Sequence, residues 1–168
     1  SITVENGNKH YDSRENCNAI IHTKSNALVR GCENTVIPDS VTEIGNGAFS
    51  GCTNLKSISI PASVTKIGGL AFRGCTRLTS VTIPDSVTEI EGGAFYCCNN
   101  LTGICIPKSV TGIGSWAFGR CNSLESISVD KDNKYYDSRE DCNAIIHTES
   151  NTLIRGCADT IIPESVTE

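Results

Sequence analysis

Apolar residues recur along this chain on two scales at once. Locally, Leu55-x-x-Ile58-x-Ile60 sets apolar side chains at alternate positions, the period of a strand with one buried face. On the longer scale, the prolines of Ile37-Pro38, Ile60-Pro61, Ile83-Pro84 and Ile106-Pro107 stand 23 residues apart. One unit reads Ile60-Pro61-x-Ser63-Val64-Thr65-x-Ile67-Gly68-x-x-Ala71-Phe72-x-x-Cys75-x-x-Leu78-x-x-Val81-x-Ile83. A strict period of this size predicts a solenoid, with one supersecondary unit per repeat stacked on its neighbours. Within a unit, Pro61 cannot donate to a ladder and ends the first strand. Val64 to Ile67 forms a second short extended piece, closed by Gly68. Ala71-Phe72 lies in a segment too short for an independent helix, so a single helical turn is predicted there. Leu, Ile, Val, Ala, Phe and Cys point inward. In particular, Phe49, Phe72, Phe95 and Phe118 are expected to form one internal stack.

Residues 1–43 recur at 126–168 with 30 identities and 13 differences, an offset of 125. Long coils at 5–37 and 130–162 therefore bracket short 23-residue coils over 38–129. The whole of 1–168 reads as one solenoid, an excerpt of a longer array. Each long coil carries two β-rich runs around a polar turn, Lys24-Ser25-Asn26 in the first copy and Glu149-Ser150-Asn151 in the second. This pattern predicts a hairpin that projects as an island from an otherwise regular coil. Tyr11 and Tyr136 take the offset that Ile44 and Ile67 take in short coils, hence the same core slot.

Composition adds constraints. The net charge is −5 with no long run of one sign, which argues against nucleic acid or an anionic membrane as main partner. Ten cysteines would suggest a disulfide scaffold, but Cys52, Cys75, Cys98 and Cys121 fall 23 apart and form a repeat column of buried thiols. Cys17 and Cys32 flank the first hairpin, as Cys142 and Cys157 flank the second. Hairpin pairing brings each pair close, whereas the register of Cys32 sends it into the core. Whether these pairs are disulfides stays open.

The phrase Ile-Pro-x-Ser-Val-Thr-x-Ile-Gly-x-x-Ala-Phe-x-x-Cys-x-x-Leu, with the island Tyr136-Asp137-Ser138-Arg139-x-x-Cys142-Asn143-Ala144-Ile145-Ile146, resembles the 23-residue leucine-rich repeats of the BspA-like family of bacterial surface proteins. The resemblance covers essentially the whole chain. It implies an α/β but β-rich fold: a right-handed leucine-rich-repeat solenoid of short strands, single helical turns and two hairpin islands. It also implies a cell-surface or secreted bacterial location. The function implied is non-enzymatic adhesion to host extracellular matrix proteins of the fibronectin and fibrinogen type, without a cofactor. A structural stalk with no ligand of its own is the other reading.

Candidate contact residues follow from the pattern. Between the apolar strand positions lie two columns, Ser57, Ser80, Gly103 and Ser126, and Ser59, Thr82, Cys105 and Ser128. They offer either a flat surface for a partner's backbone or simply the small residues that a tightly curved sheet tolerates. Trp116, in a column with Gly47, Leu70 and Gly93, is an exposed aromatic anchor or a cover over apolar neighbours, with Tyr96 and Arg73 near it. His22 and His147 have no second ligand type at metal spacing and read as solvent-facing strand residues. Asp130-x-Asp132-Asn133-x-x-x-Asp137 resembles a calcium loop, but Lys134 stands at a ligand position, so a turn-rich loop is expected. Asp12-Ser13-Arg14-Glu15 lacks the Gly-x-Ser-x-Gly elbow of a hydrolase and reads as a turn with an Arg–carboxylate pair. Both termini cut the repeat, so the exposed faces predict end-to-end self-association.

Overall fold

The computed structural model describes residues 1–167 and shows a leucine-rich-repeat solenoid rich in strand, with almost no helix. The first wall carries β5 (Ser57–Ile58), β7 (Ser80–Val81), β9 (Gly103–Ile106) and β11 (Ser126–Val129). Of these, β5 pairs with β7 and β9 with β11, both in parallel. The second wall is a seven-stranded sheet. It runs from β1 (Tyr11–Asp12) through β2 (Ile20–His22) and β3 (Ala27–Arg30) to β4 (Glu43–Ile44), β6 (Lys66–Ile67), β8 (Glu89–Ile90) and β10 (Gly112–Ile113).

Ser-Val-Thr owes its recurrence to bonds between coils. The hydroxyls of Ser63, Ser86 and Ser109 donate to the carbonyls of Val41, Val64 and Val87, at 2.6, 2.6 and 2.7 Å. Thr65, Thr88 and Thr111 donate their N–H to the Thr carbonyl one coil back. The Val between them is fully buried in each coil. Each residue of the triplet thus meets a different demand of stacking: a hydroxyl for an orphan carbonyl, apolar volume, and a ladder bond.

The third, outer wall follows Gly68 in each coil. In place of the predicted helical turn it holds linked three-residue turns, with Ala71, Arg73 and Cys75 donating to Gly68, Leu70 and Phe72. Left-handed backbone at Leu70 and Gly74 (φ 57° and 70°) prevents a helix from propagating. The alternate donors face the next coil: Leu70 to Gly92, Phe72 to Ala94 and Gly74 to Tyr96.

Phe49, Phe72, Phe95 and Phe118 stack with centroids 5.1, 5.1 and 5.4 Å apart and planes within 7° of parallel. All ten cysteines are free thiols. In the buried column, Cys75, Cys98 and Cys121 donate to the carbonyls of Phe49, Phe72 and Phe95 at 3.2, 3.2 and 3.1 Å. Cys17 and Cys32 bond to different carbonyls, Ala19 and Asn18, and Cys32 is only half-buried.

The long coil departs from the expected projecting hairpin. Strands β1, β2 and β3 pair antiparallel in succession, and β3 then pairs parallel with β4. The insertion therefore lies in the plane of the second wall and continues its ladder. In the second copy, β12 (Tyr136–Asp137), β13 (Ala144–His147) and β14 (Thr152–Gly156) form the same meander. Tyr136 is buried in its core slot and its hydroxyl accepts from the Ile113 N–H at 2.9 Å, whereas Tyr11 remains 39% exposed. Asn143 closes the first wall by side chain: its Oδ1 accepts from the Ile127 N–H and its Nδ2 donates to the Glu125 carbonyl. The segment before Pro163 then bonds through Ile161 N–H to the Cys142 carbonyl.

Replacing Phe72 by Ala removes the centre of the stack. It is expected to cost about 3–5 kcal/mol in urea unfolding and to melt several coils together. A second expectation concerns alkaline pH. Burial pushes the Cys75 thiol up to about 12 and Cys121 up to about 11, and also raises Cys98. The unfolded thiols ionise near 9.0, so the unfolded state loses protons first. Their contribution is complete below 9.0 and is lost as pH rises towards the folded values. Urea midpoints should therefore fall above that pH, with a shallower decline when the three thiols are replaced by Ala.

Candidate functional site

The two hydroxyl columns lie where expected, along the solvent side of the first wall. Ser57, Ser59, Ser80, Thr82, Ser126 and Ser128 are exposed, with Ser57 opposite Ser80 and Ser128 opposite Cys105. Trp116 and Tyr96 belong to a different wall, the outer one. The candidate residues thus form two separate surfaces.

The outer surface has the more distinctive chemistry. Trp116 is 73% exposed and has φ 59°, in the left-handed region where Gly47 and Gly93 occupy the same column. Leu70 shares the column with φ 57°, so two of the four coils place a bulky side chain where left-handed backbone costs an L-residue about 1–2 kcal/mol. Its ring lies against Gly119, where an added Cβ would sit 3.0 Å from Trp116 Cε3 and 2.9 Å from Tyr96 Cδ2. Only a glycine lets both aromatic side chains approach this spot. The Arg120 guanidinium stands 5.8 Å from the Tyr96 ring centroid and adds a cation to the aromatics. Leu70, 46% exposed, lies over Gly93 and extends the patch. The recurrence of Gly at 47 and 93 was the signal that this column is left-handed, and Gly51 and Gly74 gave the same signal for the column of Arg120, left-handed at φ 55°.

Beside this patch a cleft of about 380 Å³ separates the outer wall of coil 107–129 from β14. It is lined by Ile113 to Gly119 on one side and by Leu153, Ile154 and Arg155 on the other. Arg155 is its one charged lining residue, and Nη2 of that side chain donates to the Cys121 carbonyl at 3.1 Å.

The remaining candidates have structural work. Asn133 is buried and its amide is saturated, donating to the Pro107 and Val110 carbonyls and accepting from the N–H groups of Tyr135 and Tyr136. Asp137 is held bidentately by Arg139, at 2.8 and 2.7 Å. The calcium-like loop is a turn in which Asn133 and Asp137 are committed to protein partners. Among the described residues no group of His, Cys, Asp or Glu is placed to hold a metal ion. Arg14 likewise grips Asp12, and reaches Asn26 of the hairpin turn and Ser40 of the next coil. That hydrogen bond keeps the Asp12 carboxyl below its ordinary value. Ser13 donates to the Ala19 carbonyl, while His22 bonds Ser25 and packs edge-on against Tyr11 at 5.5 Å. His22 and His147 are half-buried rather than fully solvent-facing.

The profile of the "BspA type Leucine rich repeat region (6 copies)" matches residues 21–143. The search of curated protein sequences returned no match. Among solved structures, the chain is similar to the pneumococcal vaccine antigen PcpA, with TM-score 0.68 and 26% identity over 76% of this chain and 32% of that one. A leucine-rich repeat protein of Eubacterium ventriosum gives TM-score 0.61 and 25% identity over 83% and 42%. One from Bacteroides capillosus gives 0.58 and 27% over 77% and 99%. The chain thus spans less than half the length of the first two.

Because Trp116 is exposed and its backbone suits glycine, Trp116→Gly is expected to leave stability unchanged or raise it, by at most about 1 kcal/mol. Thermal and urea unfolding of the variant check this. A loss above that size would mean that the ring carries packing energy.

Proposed function

Since the chain belongs to the BspA-type leucine-rich repeat family, we propose that it is a non-enzymatic protein-binding module of a bacterial surface or secreted protein, acting in adhesion to host or matrix proteins. The supporting observation is the outer-wall patch. Trp, Tyr and Arg are the residue types that dominate binding hot spots. Here Trp116, Tyr96 and Arg120 gather on one exposed wall, and Trp116 holds a backbone conformation that stability alone would give to Gly. Strain of this kind is characteristic of functional positions. Similarity to a vaccine antigen accords with a surface location. Among the described residues, no helix is long and apolar enough to cross a membrane.

A stalk is the second reading, and one observation favours it. The hydroxyl columns of the first wall are uniform, exposed and without large side chains, as in a spacer. The two are separated by presenting this chain to immobilised fibronectin, fibrinogen and other matrix proteins. Adhesion predicts saturable binding that Trp116→Gly weakens by about 30-fold, the equivalent of a hot spot of about 2 kcal/mol. No saturable binding across the panel would leave the stalk.

A further inference from the structure

The cleft beside Trp116 is a break in the ladder that joins each short coil to the next on the outer wall. On this wall each coil donates forward from alternate residues. Gly47, Phe49 and Gly51 donate to Gly69, Ala71 and Arg73; Leu70, Phe72 and Gly74 donate to Gly92, Ala94 and Tyr96; Gly93, Phe95 and Cys97 donate to Ser115, Ala117 and Gly119. The next donors in the series are the N–H groups of Trp116, Phe118 and Arg120. Among the described residues none of the three has an acceptor. The cause lies in the insertion. On the second wall the long coil stacks three strands, β12, β13 and β14, between one short coil and the next. The far side of the gap is formed by Leu153 to Arg155 of β14 itself, so the donor row of coil 107–129 faces a cleft instead of the turns of a neighbouring coil.

The chemistry of the gap selects its occupant. Three main-chain donors recur at every second residue, and the wall's own solution elsewhere is a main chain offering carbonyls at every second residue. Arg155 Nε is buried without an acceptor, the only such side-chain atom among the described residues. No acidic side chain lines the cleft. The cleft is therefore rich in donors and cationic, in a chain of net charge −5.

We propose that this cleft captures an extended, acidic segment of a partner polypeptide. The segment's alternate carbonyls take the N–H groups of Trp116, Phe118 and Arg120, and a carboxylate of the segment meets the free Nε of Arg155. Trp116 covers the segment from outside. This deepens the protein-binding reading and rests on it, by naming the chemistry of the partner at that patch.

The test uses the ¹⁵N-labelled chain, a capped peptide of alternating Val and Glu, and its Val-Lys counterpart. In the free chain, amide exchange at Trp116, Phe118 and Arg120 should be at least tenfold faster than at Leu70, Phe72 and Gly74. Val-Glu peptide should shift those three amide signals and slow their exchange. Val-Lys peptide should do neither, and Arg155→Gln should weaken Val-Glu binding about tenfold. If loss of the Arg155–Cys121 bond disturbs folding, the contrast between the two peptides on the unmodified chain decides instead. Slow exchange at the three amides in the free chain, Val-Glu binding mapped elsewhere, equal binding of both peptides, or binding of neither overturns the proposal. Binding to intact matrix proteins that depends on Trp116 would in those cases still uphold the broader adhesion reading, and its absence would sink that reading separately.

Discussion

Everything in this molecule depends on main-chain groups of one coil being met by those of the next. A solenoid coil cannot satisfy its own backbone or bury its own apolar face, so both demands are met across the stack. The bonds run backward on the strand walls, where Thr88 donates to Thr65, and forward on the outer wall, where Phe72 donates to Ala94. Identical residues then fall above one another, and side chains that tolerate self-stacking are selected: the phenylalanine ladder, the thiol column, the serine hydroxyls. The fixed period is the visible result of a hydrogen-bond constraint.

The fold was legible for that reason. The Phe and Cys columns, the Pro-terminated strands and the second extended piece ending at Gly68 all follow from spacing and residue type. The helical turn at Ala71-Phe72 was misread because alternate N–H groups there leave for the next coil, and a local pattern cannot register a partner 22 residues away. The hairpin was recognised but placed wrongly. Its alternation announces strands, yet nothing in residues 18–30 states that β3 pairs with β4 rather than standing clear. Asn143 and Asn133 belong to the same class of omission. Their amides substitute for missing ladder groups of another coil, and a lone Asn carries no sign of that task.

The candidate site was legible in part. Trp116 and Tyr96 stood out as departures from their columns, and they do share a wall. The serine columns are real but lie on another wall. The cleft was hidden because it emerges only when the insertion of the long coil is placed in the second wall, and Arg120 because its reach to the Tyr96 ring is a contact between coils. The calcium-like and hydrolase-like segments show the reverse: suggestive residue sets whose polar atoms are already spent on Pro107, Ala19 and Asn26.

The three-strand meander also has a mechanical consequence. Each long coil is three layers deep on the second wall. The first wall gains only the Cys142-Asn143 segment besides its own strand, which makes two layers. One layer of mismatch is a wedge of about 5 Å driven into one side of the stack. An array that repeats this coil every 125 residues is therefore a chain of straight segments joined by elbows rather than a uniform rod. Tension along such an array would be felt first at the elbows, where the outer wall lacks its ladder bonds. Those joints are where the array would yield and extend before any straight segment began to unravel.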